Sequence, residues 1–247
     1  ALSLTYEPTA PAAKPAATVT TAPTGAAVVG VGKTTALVSG GVAEGGTLWY
    51  AVTTTNTKPT STAGFSDAVP TAEDITASGK VYVWYYVKGD DTHSDSEIAA
   101  TAIEVPVADI VWDATNVGGL SVSGTYESYV MDDITLSGNG TDVYAWWYNS
   151  SDPTTDGISF YANTSGGFTF TAPTGKAFTK IEMTLNGTAG DWEYGNLGTG
   201  WAFNWDDITE ISTVTWKGTA ASMVDLMKDT DYFEGSPVKS IGFYLSE

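Results

Sequence analysis

Short runs with a period of two dominate this sequence and restrict it to a β fold. In the run KVYVWYYVKG at 80–89, valines alternate with Tyr82, Trp84 and Tyr86. Because successive side chains of a strand point to opposite faces, this run predicts a strand with the valines and Tyr85 on one face and the other three rings on the opposite face. Similar runs recur between Gly, Asn, Asp and Pro turns along the chain. We therefore expect an all-β protein.

The absence of cysteine limits what can stabilise the fold. The 247 residues contain no Cys and a single His, so disulfides and thiolate metal sites are excluded, and zinc is not expected. No cofactor is indicated by any motif. Stability must come from packing and β pairing.

The charge balance excludes two classes of partner. All ten basic residues are Lys, against 29 Asp and Glu, which gives a formal net charge of −19. Such a field repels phosphate backbones and anionic lipid, so we expect neither nucleic acid nor a membrane surface as partner. No apolar run approaches the roughly 20 residues of a membrane helix. The acidic, Thr-rich composition is typical of secreted or cell-surface proteins.

The chain divides into a lead-in and two modules. Residues 1–17 are predicted to hold an N-terminal strand, at 2–6, and a linker; the linker composition, rich in Pro and Ala, continues over 7–23. The first module covers 18–107. The second, 108–247, contains about eight predicted strands, a number that fits a jelly roll or a related β-sandwich. We expect the chain to belong to a larger multidomain surface protein or complex.

The first module resembles a known repeat. The stretches GTLWYAV and FSDAVPTAEDITASGKVYVWYYVKGDDTHSDSE are similar to the immunoglobulin-like β-sandwich repeat found in tandem in surface proteins of gut Firmicutes. That resemblance implies an immunoglobulin-like β-sandwich with a spacer or presentation role. The sequence departs from the repeat at Tyr82, Trp84 and Tyr86, where the outward face usually carries smaller or charged residues.

The second module resembles an uncharacterised β-sandwich module of the same group of extracellular proteins. The similarity lies in FTFTAPTGKAFTKIEMTL, STVTWKGTAASMVDL and SIGFYL. It implies a jelly-roll-like fold and an extracellular location, and it carries no catalytic signature.

Candidate catalytic groups are few. His93 lies in the polar stretch GDDTHSDSE, where we interpret it as a turn residue, and no nucleophile-elbow pattern accompanies it. A glycosidase needs two carboxylates about 5 to 9 Å apart. Glu182 alternates with apolar neighbours and is expected in solvent, whereas Glu193 between two rings is the better candidate for a raised pKa. Without a partner for Glu193, we expect no enzyme.

Paired acids could supply oxygen ligands to calcium. Such pairs start at Asp90, Asp132 and Asp206, and Asp152 lies near Asp156. None follows the EF-hand spacing, so we interpret each as a turn or strand-edge charge; a structural calcium ion remains open.

The aromatic clusters carry the functional prediction. Trp192 and Tyr194 lie in the glycine-rich stretch GDWEYGNLG, which predicts an exposed loop. Sugar rings stack their apolar CH faces on Trp and Tyr while short polar side chains bond the hydroxyls. In DVYAWWYNS, Tyr144, Trp146 and Tyr148 share one strand face and Trp147 points to the other. The predicted ligand-binding residues are Trp192, Tyr194, Trp146, Trp147, Tyr148, Glu193, Asn196, Tyr82, Trp84 and Tyr86.

Other rings are predicted to fill the core. Trp201, Phe203 and Trp205 share a strand face in GWAFNWDD, and Trp216 lies in a similar run. The face of Tyr82, Trp84 and Tyr86 has an alternative too: it could be buried against the second module or line a groove.

Three functions follow, from different classes. The first is non-catalytic binding of a neutral polysaccharide or oligosaccharide, with an α-glucan such as starch as the expected ligand. The second is a structural stalk or adhesin fragment whose aromatics are buried between modules. The third is a glycoside hydrolase.

Overall fold

The computed structural model describes residues 12–125, 127–149, 156–186, 191–206, 211–234 and 236–246, without the side chains of 164, 165, 194, 228–232 and 234. The chain forms two compact units. The first comprises residues 1–26, 36–71 and 80–105; the second comprises 27–35, 72–79 and 106–247. The predicted strand at 2–6 lies outside the described residues.

The regular secondary structure of the described residues is almost entirely β. The first nine strands are β1 (Thr18–Gly25), β2 (Val29–Gly30), β3 (Val38–Glu44), β4 (Gly46–Thr53), β5 (Gly79–Gly89), β6 (Ile103–Ala108), β7 (Ile110–Asp113), β8 (Ser121–Ser123) and β9 (Ser128–Met131). The remaining elements are β10 (Ile134–Asn139), β11 (Asp142–Tyr148), β12 (Gly157–Thr171), β13 (Ala177–Leu185), the helix α1 (Asp191–Tyr194), β14 (Trp201–Asp206), β15 (Ile211–Ala221), β16 (Met223–Glu234) and β17 (Val238–Ser246). The expected all-β class is confirmed.

The predicted linker at 7–23 is wrong over its second half. Residues 18–25 form β1, which pairs antiparallel with β3 from Thr18 opposite Glu44 to Gly25 opposite Val38. Just before β1, the Ala17 amide donates to the Ser94 carbonyl at 2.8 Å. A strand that is mostly exposed needs few large side chains, because backbone hydrogen bonds hold it in place. Composition alone therefore mistook a strand for a linker.

Strands β4 and β5 form the clearest hairpin pair of the first unit. They run antiparallel in unbroken register from Gly46 opposite Gly89 to Thr53 opposite Tyr82. The alternation of Val and aromatic residues in β5 follows the predicted period of two. Val81, Val83 and Val87 are buried, as expected for a face that packs on the core.

The second unit is built from a large set of hydrogen-bonded strands folded into layers. One layer has the order β14-β15-β13-β17, with β7 on the far edge of β17. The long strand β12 pairs with β11 over residues 157–163 and with β10 over 167–171, and β16 lies along its other edge. These layers are consistent with a β-sandwich.

Aromatic rings fill the space between the layers. Phe243 of β17 packs on Trp112 of β7 with ring centroids 5.0 Å apart, and on Phe170 of β12 at 5.6 Å. All three rings are fully buried. The core of the second unit is therefore formed by inward faces of both layers, as the period-two patterns predict.

The outer face of β17 is covered as well. Tyr244 is only 8% exposed and packs with Val28, Ala108 and Val111. The ammonium of Lys180 lies 4.1 Å from the Tyr244 ring centroid. The Tyr244 hydroxyl has no hydrogen-bond partner within the described ranges. Burial, followed by the charges of Glu182 and Asp109, raises the pKa of the Tyr244 phenol.

We expect Tyr244→Phe to stabilise the protein. The substitution removes a buried hydroxyl without a partner, a change worth about 1 kcal/mol in the free energy of unfolding. The substitution should also reduce the loss of unfolding free energy at alkaline pH. Because the folded-state pKa lies above the ordinary value of 10.0, the unfolded chain loses this proton first, so wild-type stability falls as pH rises above that value.

Urea titration at neutral and alkaline pH measures both effects. Tyr148→Phe, which alters an exposed phenol, is the matched control and should leave stability at neutral pH unchanged. A Tyr244→Phe variant less stable than wild type at neutral pH would show that the hydroxyl makes a favourable bond.

No helix within the described ranges is long and apolar enough to cross a membrane.

Candidate functional site

Strand β11 positions the exposed aromatic residues. It lies between β8 and β12: Tyr144 is opposite Ser123 on one side and Tyr161 on the other, and Trp146 is opposite Ser121 and Ser159. All three strands run antiparallel to their neighbours. This arrangement fixes which side chains share a face.

The two faces of β11 differ as the alternation predicts. Val143 and Ala145 point into the core and are 0% and 1% exposed. Tyr144, Trp146 and Tyr148 point outward and are 37%, 39% and 42% exposed. Large rings exposed together on one strand are unusual, because burial of such rings dominates the stability of β-sheets. These three residues are therefore the strongest candidate for a contact surface.

Neighbouring strands complete the surface. Tyr161 of β12 flanks Tyr144, with ring centroids 6.0 Å apart and planes at 42°. Ser121 and Ser123 of β8 are small and exposed, and they leave a shallow depression of about 360 Å³ beside Tyr144 and Trp146. We refer to Tyr144, Trp146, Tyr148, Tyr161, Ser121 and Ser123 together as the β11 aromatic surface.

One carboxylate orients a ring of this surface. The Tyr144 hydroxyl donates to Asp142 Oδ1 at 3.2 Å. This hydrogen bond and the charge of Asp142 raise the pKa of the Tyr144 phenol. The phenol therefore stays neutral at physiological pH, and the β11 aromatic surface presents apolar faces with hydroxyl and carboxylate groups at its border.

The prediction that Trp192 stands exposed in a glycine-rich loop is wrong. Trp192 lies in the helix α1 and is 0% exposed. Its ring packs against Phe233 at 4.7 Å and Phe160 at 5.9 Å, and its indole Nε1 donates to the Ser236 carbonyl at 2.8 Å. The short helix turns the indole inward, where both its apolar body and its N–H find partners. A buried indole offers no face to a sugar.

The other residues of this stretch that were predicted to bind a ligand are Glu193, Tyr194 and Asn196. Glu193 and Asn196 are exposed, as a ligand contact requires. The side chain of Tyr194 lies outside the described residues. Glu193 and Asn196 are not part of the β11 aromatic surface. The residues that were predicted to bind one ligand therefore do not all lie together.

Trp147 faces the core rather than solvent. It lies on the opposite face of β11 from Trp146, half-buried, and packs against the main hydrophobic cluster. Its amide donates to the Leu120 carbonyl at 3.2 Å. The prediction that Trp147 contacts a ligand is therefore not supported by its position, because in a sandwich the face opposite an exposed face packs inward.

Two of the three predicted rings of β5 are buried within the first unit. Trp84 is 2% and Tyr86 is 3% exposed. Phe65, from the long loop after β4, covers Tyr86 at a centroid distance of 5.2 Å, and Ile98 completes the cluster. The Trp84 indole donates to Thr53 Oγ1 at 3.0 Å. The prediction of an open aromatic ladder is therefore wrong for Trp84 and Tyr86.

Tyr82, the third ring of that face, is half-buried near the start of β5. It lies opposite Thr53 in the hairpin with β4. One half-buried phenol does not form a surface comparable to that of β11.

The rings predicted as core follow the expected alternation, with one exception. Trp216 is 7% exposed, and Trp201 and Phe203 are half-buried against the core cluster. Trp205 is 46% exposed. It lies near the end of β14, beyond the reach of the core, so its prediction as core is wrong.

His93 is a turn residue, as expected. Its Nδ1 lies 2.9 Å from Asp90 Oδ1, which also accepts the amides of Thr92 and His93. These hydrogen bonds, that from His93 first, hold the pKa of the Asp90 carboxyl well below its usual range. The arrangement closes a turn, in which the Thr92 hydroxyl also donates to Asp90 Oδ1 at 2.8 Å.

The carboxylates considered for hydrolysis or metal binding form no cluster among the described residues. Glu182 is half-buried and pairs with Lys180 at 2.9 Å, so its expected position in solvent holds only in part. In the part of the chain that the structure describes, no three acidic or His side chains gather closely enough to hold a metal ion. Asp152 and Asp207, two of the predicted calcium ligands, lie outside that part.

Sequence reasoning missed Tyr161 and the two serines. A period-two pattern in ISFYAN places Ile158, Phe160 and Ala162 on one face and Tyr161 on the other. The burial follows this pattern, since all three apolar residues are at most 1% exposed. The same pattern in LSVSG points Ser121 and Ser123 outward. The signal was present, but it could not show that β8, β11 and β12 are neighbours.

Comparison with protein-family models, with curated proteins and with solved structures gave no match. The resemblance to an immunoglobulin-like repeat and to extracellular modules therefore has no support from these comparisons, while the all-β sandwich character stands on the structure itself.

Proposed function

We propose that the chain is a non-catalytic carbohydrate-binding protein that binds a neutral polysaccharide on the β11 aromatic surface. One observation carries this proposal: Tyr144, Trp146 and Tyr148 stand exposed in a row on a single strand while the opposite face is buried. Two residues of a strand span about 6.7 Å, so the row covers about 13 Å, a length that suits several linked sugar rings.

The chemistry of the β11 aromatic surface fits a neutral sugar better than other ligands. Stacking needs an apolar ring face and is insensitive to sequence or charge, while the hydroxyls of a sugar need short polar groups such as those of Asp142 and Ser123. A net charge of −19 disfavours anionic glycans, nucleic acids and anionic lipid. An extracellular location, secreted or on a cell surface, belongs to the same proposal.

An α-glucan such as starch is the ligand that we propose first. The rings of Tyr144 and Tyr161 meet at 42° rather than in one plane. The twist of β-strands also rotates side chains along one strand relative to each other. A curved chain follows such a surface more closely than a flat ribbon does.

Affinity electrophoresis tests the proposal. Native gels containing amylopectin, xylan or mucin are compared with a gel without polysaccharide. We expect retardation in the amylopectin gel; migration unchanged in all three gels would overturn the proposal. If the protein released reducing sugar from the polysaccharide that retards it, the non-catalytic part of the proposal would be contradicted.

The burial of other rings favours a second candidate, a structural spacer module. Trp84, Tyr86 and Trp192 are all core residues of their own units, which is what a spacer requires of its aromatics. A spacer has no use for exposed rings on β11, so replacing them should then have no measurable effect on any binding.

A further inference from the structure

A second depression lies elsewhere on the second unit. It has a volume of about 710 Å³, within the range of small-ligand sites. Its walls are the loop that follows α1, residue Trp216 of β15 and the first residues of β16. We name it the Asn196 pocket and define it by its lining residues, Asn196, Gly198, Thr199, Trp216, Met223, Val224 and Asp225.

Hydrogen bonds fix the walls of the Asn196 pocket. Trp201 Nε1 donates to the backbone carbonyl of Asp225 at 2.7 Å, and Thr169 Oγ1 donates to Asp225 Oδ1 at 2.7 Å. The amide of Met227 donates to the Leu197 carbonyl at 2.9 Å. Strand β16, which forms one wall of the pocket, is therefore held by hydrogen bonds to β12, β14 and the loop after α1. A ligand would not have to order this wall on binding.

Backbone conformations at the pocket are unusual. Gly198 and Gly200 have φ of 98° and 86°, a region that favours glycine. Met227 has φ of 56° and is fully buried, a strained conformation for a residue with a side chain. It directs the Met227 amide at the loop. Strain of this kind persists where the surrounding structure enforces it, frequently at binding sites.

The lining combines directional polar groups with apolar surface. Asn196 supplies an amide that donates and accepts, Asp225 a carboxylate with several acceptor positions, and Thr199 a hydroxyl. Met223 is 61% exposed at the border, the highest exposure among the large hydrophobic residues that the structure describes. The Asp225 carboxylate disfavours anions, and the amide, hydroxyl and carboxylate groups beside apolar surface match a neutral ligand rich in hydroxyl groups.

We propose that the Asn196 pocket is a second carbohydrate site, which takes the terminal sugar residue of a neutral glycan. This inference rests on the proposed function and adds a division of labour to it. The β11 aromatic surface contacts a chain along its length through ring faces. The Asn196 pocket, with its convergent hydrogen-bonding groups, recognises one sugar residue by its hydroxyls.

Indole resonances can locate each sugar. The full chain, labelled with ¹⁵N, is titrated with the methyl glycosides of glucose, mannose, galactose and xylose. Signals of Trp216, Trp201 and Trp146 are assigned by single Trp→Phe variants. We expect at least one glycoside to shift Trp216 and Trp201 with saturation, while Trp146 moves little. The absence of a saturable shift at Trp216 with all four glycosides would overturn the inference.

Exposed border residues supply the variants. We expect Asn196→Ala to weaken glycoside binding about tenfold, through loss of its hydrogen bonds, and Met223→Ala to weaken it to a smaller extent. Val130→Ala is the matched control, since Val130 is 59% exposed on β9 and lies outside the pocket. Affinities of Asn196→Ala and Met223→Ala equal to wild type would overturn the inference.

The Trp146→Ala variant separates this inference from the proposed function. If both are correct, this variant loses retention by polysaccharide and keeps glycoside binding at Trp216. If Trp146→Ala loses retention and no glycoside shifts Trp216, the pocket is refuted and the β11 aromatic surface stands. If glycosides shift Trp216 and Trp146→Ala is retained like wild type, the pocket stands and the β11 aromatic surface is refuted.

Discussion

Replacing Trp192 by alanine is expected to lower the free energy of unfolding of the second unit by about 3–5 kcal/mol. The substitution empties a space between Phe160 and Phe233, against which the indole packs at 5.9 and 4.7 Å. It also leaves the Ser236 carbonyl without the donor that now lies at 2.8 Å. Urea unfolding monitored by circular dichroism measures the change.

Two further variants make the Trp192 result specific. Trp192→Phe keeps much of the ring packing and loses the N–H, so we expect a smaller loss, about 1–2 kcal/mol. Trp205→Ala removes an indole that is 46% exposed and should cost less than about 1 kcal/mol. A Trp192→Ala protein as stable as wild type, with sugar binding lost, would place Trp192 in a binding loop and contradict the structure.

Replacing Trp146 by alanine is expected to weaken polysaccharide binding by about 2 kcal/mol, a factor of roughly thirty. Trp146 is the central ring of the β11 row and the largest, so it contributes the most stacking area. Its neighbours Tyr144 and Tyr148 should have smaller effects. Isothermal titration calorimetry, with a soluble oligosaccharide derived from the polysaccharide that retards wild type, measures the loss of affinity.

Stability must be measured on the same Trp146→Ala protein. Because Trp146 is 39% exposed, its removal should leave the unfolding transition nearly unchanged. Loss of binding together with a large loss of stability would make Trp146 a structural residue, and its role in the β11 aromatic surface would then be unsupported.

Local patterns in the sequence predicted strands and their faces well. The run at 80–89 lies in β5. The shared face of Tyr144, Trp146 and Tyr148 on β11 was also predicted, but the pattern left open whether that face or the face of Trp147 is exposed. The reason is that the period of two follows from strand geometry and needs no knowledge of the partner strands. Where a pattern continues without interruption, it decides which residues point the same way.

The same patterns could not decide which faces are covered. Trp84 and Tyr86 point away from the valines of β5, as predicted, but Phe65 covers them from a polar loop whose path no local rule gives. The burial of Trp192 could not be predicted from local patterns, because α1 and the Ser236 carbonyl are distant in sequence and meet only in the fold. Composition failed for 18–23 because an edge strand is held by its backbone.

The same limit applied to the prediction of the candidate site, because local patterns do not show which strands are neighbours. Trp146 and Tyr148 were predicted from β11 alone, whereas Tyr161 and Ser123 required the order β8-β11-β12, which is a property of the whole sheet. The Asn196 pocket could be predicted even less, since Asn196 is the one lining residue that was predicted to bind a ligand, while Trp216 was predicted as core. Pairing of distant segments therefore accounts for most of what the sequence left open.

Affinity electrophoresis of Trp146→Ala beside Trp205→Ala tests the central claim most directly. Both variants lose one exposed indole from the same unit, and only Trp146 belongs to the β11 aromatic surface. In the polysaccharide gel that retards wild type, we predict that Trp205→Ala is retarded like wild type and that Trp146→Ala migrates as in the gel without polysaccharide. Equal retardation of the two variants would contradict the claim that glycan binds on β11.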